Sequence, residues 1–61
     1  MNIDDVHTTT DMLVVIGKAV ETDNWVLFDR CRNKVNDWLI PEYEKQAWNQ
    51  FFESIESKLD L

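Results

Sequence analysis

The spacing of Phe28, Cys31, Val35 and Trp38 constrains this chain most. Steps of three, four and three residues put all four side chains on one stripe of an α-helix, widened by Leu27 and Leu39. A helix covering about 24–39 follows, and the rest of the fold has to cover that stripe. Pro41 stops it: the ring lacks a backbone donor and disfavours helical geometry at Ile40, while its fixed φ suits the first position of another helix. That next helix is expected over about 41–59, with Glu42 and Glu44 at the positive end of its dipole and Ala47, Trp48, Phe51, Phe52, Ile55 and Leu59 on its buried side. The intervening corner is read as two residues long, which makes the two helices fold back sharply or cross at a large angle.

Upstream, Thr8 is a natural N-cap with Asp11 three residues later in a capping-box position. The run Met12-Leu13-Val14-Val15-Ile16 also describes a buried strand. Its pattern continues past Gly17 to Ala19 and Val20, though, and no second strand-like run is nearby to pair with it. A first helix over about 9–21 is therefore expected, with Met12, Leu13, Ile16 and Val20 inward and Gly17 as a place where a neighbouring helix approaches closely. Thr22, Asp23 and Asn24 supply the turn before the second helix. Residues Met1 to His7 show no helical period and carry adjacent aspartates, and are read as a flexible N-terminal arm. The expectation is an all-α, compact three-helix bundle, a single small domain spanning 1–61.

A chain of 61 residues and 7.3 kDa sits near the lower limit for folding without a metal or disulfides. Surface scaling implies about 4,200 Å² of folded surface and roughly 6,400 Å² buried. Burial then contributes on the order of 95 kcal/mol against on the order of 90 kcal/mol of lost chain entropy. With the two so nearly equal, further burial against a second copy or a partner is physically favoured.

Twelve acidic residues against six basic ones give a net charge of −6, which repels nucleic-acid backbones and anionic lipid. Arg30, Arg32 and Lys34 are close together but interrupted by Asp29 and Asp37, so they form no phosphate-tracking stripe. Direct nucleic-acid binding and membrane association are not expected. No apolar run is long enough to span a bilayer, and Met1-Asn2-Ile3-Asp4-Asp5 is acidic where a secretory signal is basic. One cysteine forms no intramolecular disulfide and no multi-cysteine zinc site, in keeping with a reducing, cytoplasmic setting.

No nucleophile motif, phosphate loop or dinucleotide fingerprint is present. His7 with Asp4 and Asp5 offers metal-ligand types at a generic spacing, read as incidental. Cys31 lies between Arg30 and Arg32, cations that would favour a thiolate. Its place mid-stripe makes it a small buried apolar residue instead. No catalytic residue, cofactor or metal site is assigned.

Two surfaces are candidates for binding. Seven aromatic rings exceed what a core this small holds. Trp25, at the start of the second helix and off the Phe28 stripe, is expected to reach the surface, with Trp48 or Phe52 after it. Exposed tryptophans of this kind anchor protein interfaces. Along the third helix, Glu42, Gln46, Asn49, Glu53, Glu56 and Asp60 share one polar face, four of them negative. The function expected is a non-enzymatic protein-binding module: a small acidic inhibitor or adaptor, of the kind phages and plasmids encode, acting on a larger partner with a basic surface. One alternative is a nucleic-acid mimic using Glu42, Glu53, Glu56 and Asp60 against a DNA- or RNA-binding protein. Another is a structural homo-oligomer, such as a homodimer, built on the stripes of the second and third helices.

Overall fold

Each helix starts where a short polar side chain can accept a backbone N–H. In the computed structural model, which describes residues 3–58, Thr8 is extended (φ −125°, ψ 159°) and its Oγ1 accepts from Asp11 N at 3.1 Å, opening α1 (Thr9–Glu21). Asn24 does the same for α2 (Trp25–Asn36): its Oδ1 accepts from Leu27 N at 3.1 Å. Between them the chain makes a Schellman turn. Asn24 N donates to Ala19 O at 2.8 Å and Asp23 N to Val20 O at 3.2 Å, with Asp23 left-handed at φ 54°. Aspartate is among the few non-glycine residues that accept this conformation. Three all-α helices result, as the periodicities require, with α3 over Glu42–Lys58.

The α2–α3 corner departs from expectation. α2 ends at Asn36, and five residues, 37–41, separate it from α3. Trp38 N turns back onto Val35 O at 3.1 Å, a tight final bond beyond which residues 39–41 belong to no helix. Lys45 Nζ donates to Asn36 O at 3.0 Å, satisfying a carbonyl that the end of α2 leaves open. Pro41 precedes α3, its carbonyl accepting from Glu44 N and Lys45 N at 3.0 and 3.2 Å. Leu39 is consequently fully exposed and does not widen the α2 stripe. Leu59, expected in the core, lies outside the described residues.

The N-terminal segment is not a loose arm where the structure describes it. Ile3–Asp5 forms one 3₁₀ turn, closed by Val6 N donating to Ile3 O at 3.2 Å. Ile3 and Val6 are buried with Met12, Val15, Ile16, Ala19, Phe28, Cys31, Val35 and Phe52 in one core. Two apolar residues three apart, flanking two aspartates, suffice to pin a turn against the helices. That pattern is too short to show as periodicity.

In α1 the inward positions are Met12, Val15, Ile16 and Ala19; Leu13, expected inside, is 46% exposed. In α3 only Phe52 is fully buried. Trp48 and Ile55 pack half-buried against the core, whereas Ala47 is exposed and Phe51 is 39% exposed. Rings run through the molecule from Trp25 to Phe28 (centroids 5.3 Å), Phe52 (5.4 Å), Trp48 (6.1 Å) and Trp38 (6.0 Å). Most of these contacts are edge-to-face, the arrangement the ring quadrupole favours.

Candidate protein-docking surface

The aromatic residues expected at the surface divide differently between core and solvent. Phe52 is wholly buried and cannot touch a partner; its neighbour Phe51 takes the outward place. Trp25 is half-buried. Three residues before Phe28, it lies on the same side of α2 as the stripe and sets its ring edge-on against Phe28, so it closes one end of the core. Trp48 is half-buried among Trp38, Phe51 and Phe52, with an edge left on the surface.

The polar row of α3 is likewise divided. Glu42, Gln46 and Glu53 are exposed, but Asn49 and Glu56 turn toward α2. Asn49 exchanges amide hydrogen bonds with Asn36 at 3.3 Å in both directions, and Glu56 is ion-paired and hydrogen-bonded with Arg32. The Arg32 guanidinium also lies 5.8 Å from the Phe28 ring centroid and 5.7 Å from that of Phe52, roofing the aromatic core. Two residues of the row are therefore a polar clamp between helices. Asp60 lies outside the described residues.

On the other flank of α3 there is no such clamp among the described residues. Thr9 and Leu13 of α1 face Glu44, Ala47, Trp48 and Phe51 of α3 across a groove of about 350 Å³. Leu13 also borders a second concavity of about 490 Å³ on the outer side of α1, shared with Val14, Gly17, Lys18, Glu21 and Leu27. Val14 is 56% exposed. Leu13, Val14, Ala47, Phe51 and the edge of Trp48 thus form a band of apolar surface across two helices, with Glu21 and Glu44 at its borders. Gly17 does not admit a neighbour from within the chain: a Cβ placed there meets nothing within 4 Å.

A signal for this band was present in the sequence. Met12, Val15, Ile16 and Ala19 make a complete stripe without Leu13 or Val14, and Trp48, Phe52 and Ile55 make one without Ala47 or Phe51. The surplus apolar residues are the surface ones.

Cys31 is fully buried, and burial raises its thiol from the usual 9.0 to about 11, so it is a neutral thiol at physiological pH despite Arg30 and Arg32 beside it in sequence. His7 is exposed, and among the described residues no three His, Cys, Asp or Glu side chains gather closely enough to hold a metal ion. No helix among them is long and apolar enough to cross a membrane. No family model, curated protein or solved structure matches the chain, so any reading of function rests on this geometry and not on likeness to another protein.

Proposed function

We propose that this chain is a non-enzymatic protein-binding module, a small acidic inhibitor or adaptor acting in the cytoplasm. It docks an apolar ridge of a larger partner into the α1–α3 groove. The observation that carries the reading is the exposed groove wall of Leu13, Ala47 and Phe51, with the surface edge of Trp48. In a core this small Leu13, Ala47 and Phe51 would add stability if turned inward, yet they are held outward on rigid helices. The partner's ridge is flanked by basic residues, since the groove is bordered by Glu44 and the chain carries −6 overall. Rim charges of this kind speed encounter, while the buried apolar anchors set the lifetime of the complex.

The acidic row of α3 is the weaker candidate for the same role. A nucleic-acid mimic needs its carboxylates free, and Glu56 is engaged with Arg32. The test is affinity capture from a host lysate, identification of the bound protein, and titration of that protein against variants. Phe51→Asp and Leu13→Asp should each weaken binding by about a hundredfold, as interface anchors do. Glu42→Gln with Glu53→Gln should mainly slow association. Loss of binding in the glutamine variant with Phe51→Asp unaffected would move the function to the acidic row.

A further inference from the structure

Gly17 has no explanation inside the chain. It occupies the middle of α1, where glycine costs about 1 kcal/mol relative to alanine. Its φ is not positive and no neighbour crowds the position a Cβ would take, so neither a turn nor close packing in the monomer requires it. Around it, Thr10, Val14, Gly17 and Glu21 follow steps of four, three and four on the solvent side of α1, with Leu13 on one flank and Asp11 and Lys18 on the other. This is the spacing of a helix–helix seam.

We infer that this face binds a second copy of the chain, α1 against α1, antiparallel about a two-fold axis. The occupant follows from charge and register. When Val14 of one copy sits against the bare backbone at Gly17 of the other, Glu21 falls opposite Thr10, whose hydroxyl can donate to its carboxylate. In the same register Lys18 comes within two residues of Asp11 of the other copy, about 3 Å along the axis at the α-helical rise. Asp11 and Lys18 are seven residues apart and so on the same flank, and in an antiparallel pair like flanks face each other. The two-fold axis therefore makes every charged or polar contact twice with opposite partners. A seam with one acid and one base on the flank that faces itself is self-complementary, whereas a basic partner helix would meet Lys18 as a repulsion. Leu13 lies between the seam and the α1–α3 groove, so the dimer uses Val14 and leaves Leu13, Ala47, Trp48 and Phe51 for the larger partner.

The experiment is sedimentation velocity on the full chain at physiological salt, from micromolar to millimolar concentration, with circular dichroism to establish that each variant is folded. The wild type should shift from monomer to dimer as concentration rises. Gly17→Glu, whose side chain enters open space in the monomer, should raise the dissociation constant by about tenfold or more. Lys18→Asp and Asp11→Lys should each dimerise less well alone, because each sets like charges against one another. Mixed in equal amounts, they should recover a dimer that neither forms by itself, since both contacts then pair Asp with Lys. A wild-type chain that stays monomeric at millimolar concentration overturns the inference. So does a dimer indifferent to Gly17→Glu, or a mixture that associates no better than its components.

Discussion

α3 meets its two neighbours in different ways. Toward α2 it presents Phe52 to Phe28, then seals the join with Asn49–Asn36, Glu56–Arg32 and Lys45 on the last carbonyl of the helix. Toward α1 it presents Ala47, Phe51 and an edge of Trp48 across an open groove, with no side-chain hydrogen bond among the described residues joining these walls. The first side uses apolar area to hold the fold, and polar pairs to fix the register of one helix on the other. The second has apolar area exposed and unfixed, which is the condition for binding. In so small a molecule, surface left outside the core is what remains to do something else.

The contrast sharpens at adjacent residues. Phe52→Ala should cost about 3–5 kcal/mol, because it empties the centre of the ring series and removes the surface on which Arg32 lies. Urea unfolding measures this, and a loss below about 1 kcal/mol would mean that the α2–α3 side is not the stabilising one.

The next effect tests how well the α1–α2 core excludes water. The Cys31 thiol stays neutral in the fold up to about 11, while in the unfolded chain it ionises near 9.0. Above pH 9 the unfolded state therefore binds fewer protons than the folded one, and stability falls as pH rises through that window. The loss attributable to Cys31 should approach about 2–3 kcal/mol by pH 11, at 1.36 kcal/mol per unit. Cys31→Ala should show a flatter profile between pH 9 and 11; identical profiles would mean that the thiol is hydrated.

Val6→Ala, which removes two buried methyl groups, should cost about 2 kcal/mol, and Asp5→Asn should leave the turn intact. If Val6→Ala is silent, the N-terminal turn adds nothing to the fold. Asn49→Ala should cost about 1 kcal/mol, the net worth of an exposed amide pair, and should lower the temperature midpoint without altering binding in the groove.

Most of the fold was legible in the sequence because it rests on local signals. The caps at Thr8 and Asn24, the stripe through Phe28, Cys31 and Val35, and the break at Pro41 each act within a few residues. The docking surface was less legible because inward direction is set by the partner helix. Phe51 and Phe52 are chemically identical neighbours, and which of them turns inward depends on where Phe28 and Arg32 lie. Leu13 likewise reads as core until Met12, Val15 and Ala19 are seen to complete the inner stripe without it. Glu56 reads as solvated until Arg32, 24 residues earlier, is placed beside it.

The most direct test of an open, apolar α1–α3 side is the stability of Phe51→Asp by urea denaturation. Phe51 is 39% exposed and touches Trp48 and Phe52 by one side of its ring, so the charge should cost no more than about 2 kcal/mol and leave the slope of the transition unchanged. A loss of 3 kcal/mol or more would put Phe51 inside the core, close the groove, and contradict the division between a sealed side and a binding side.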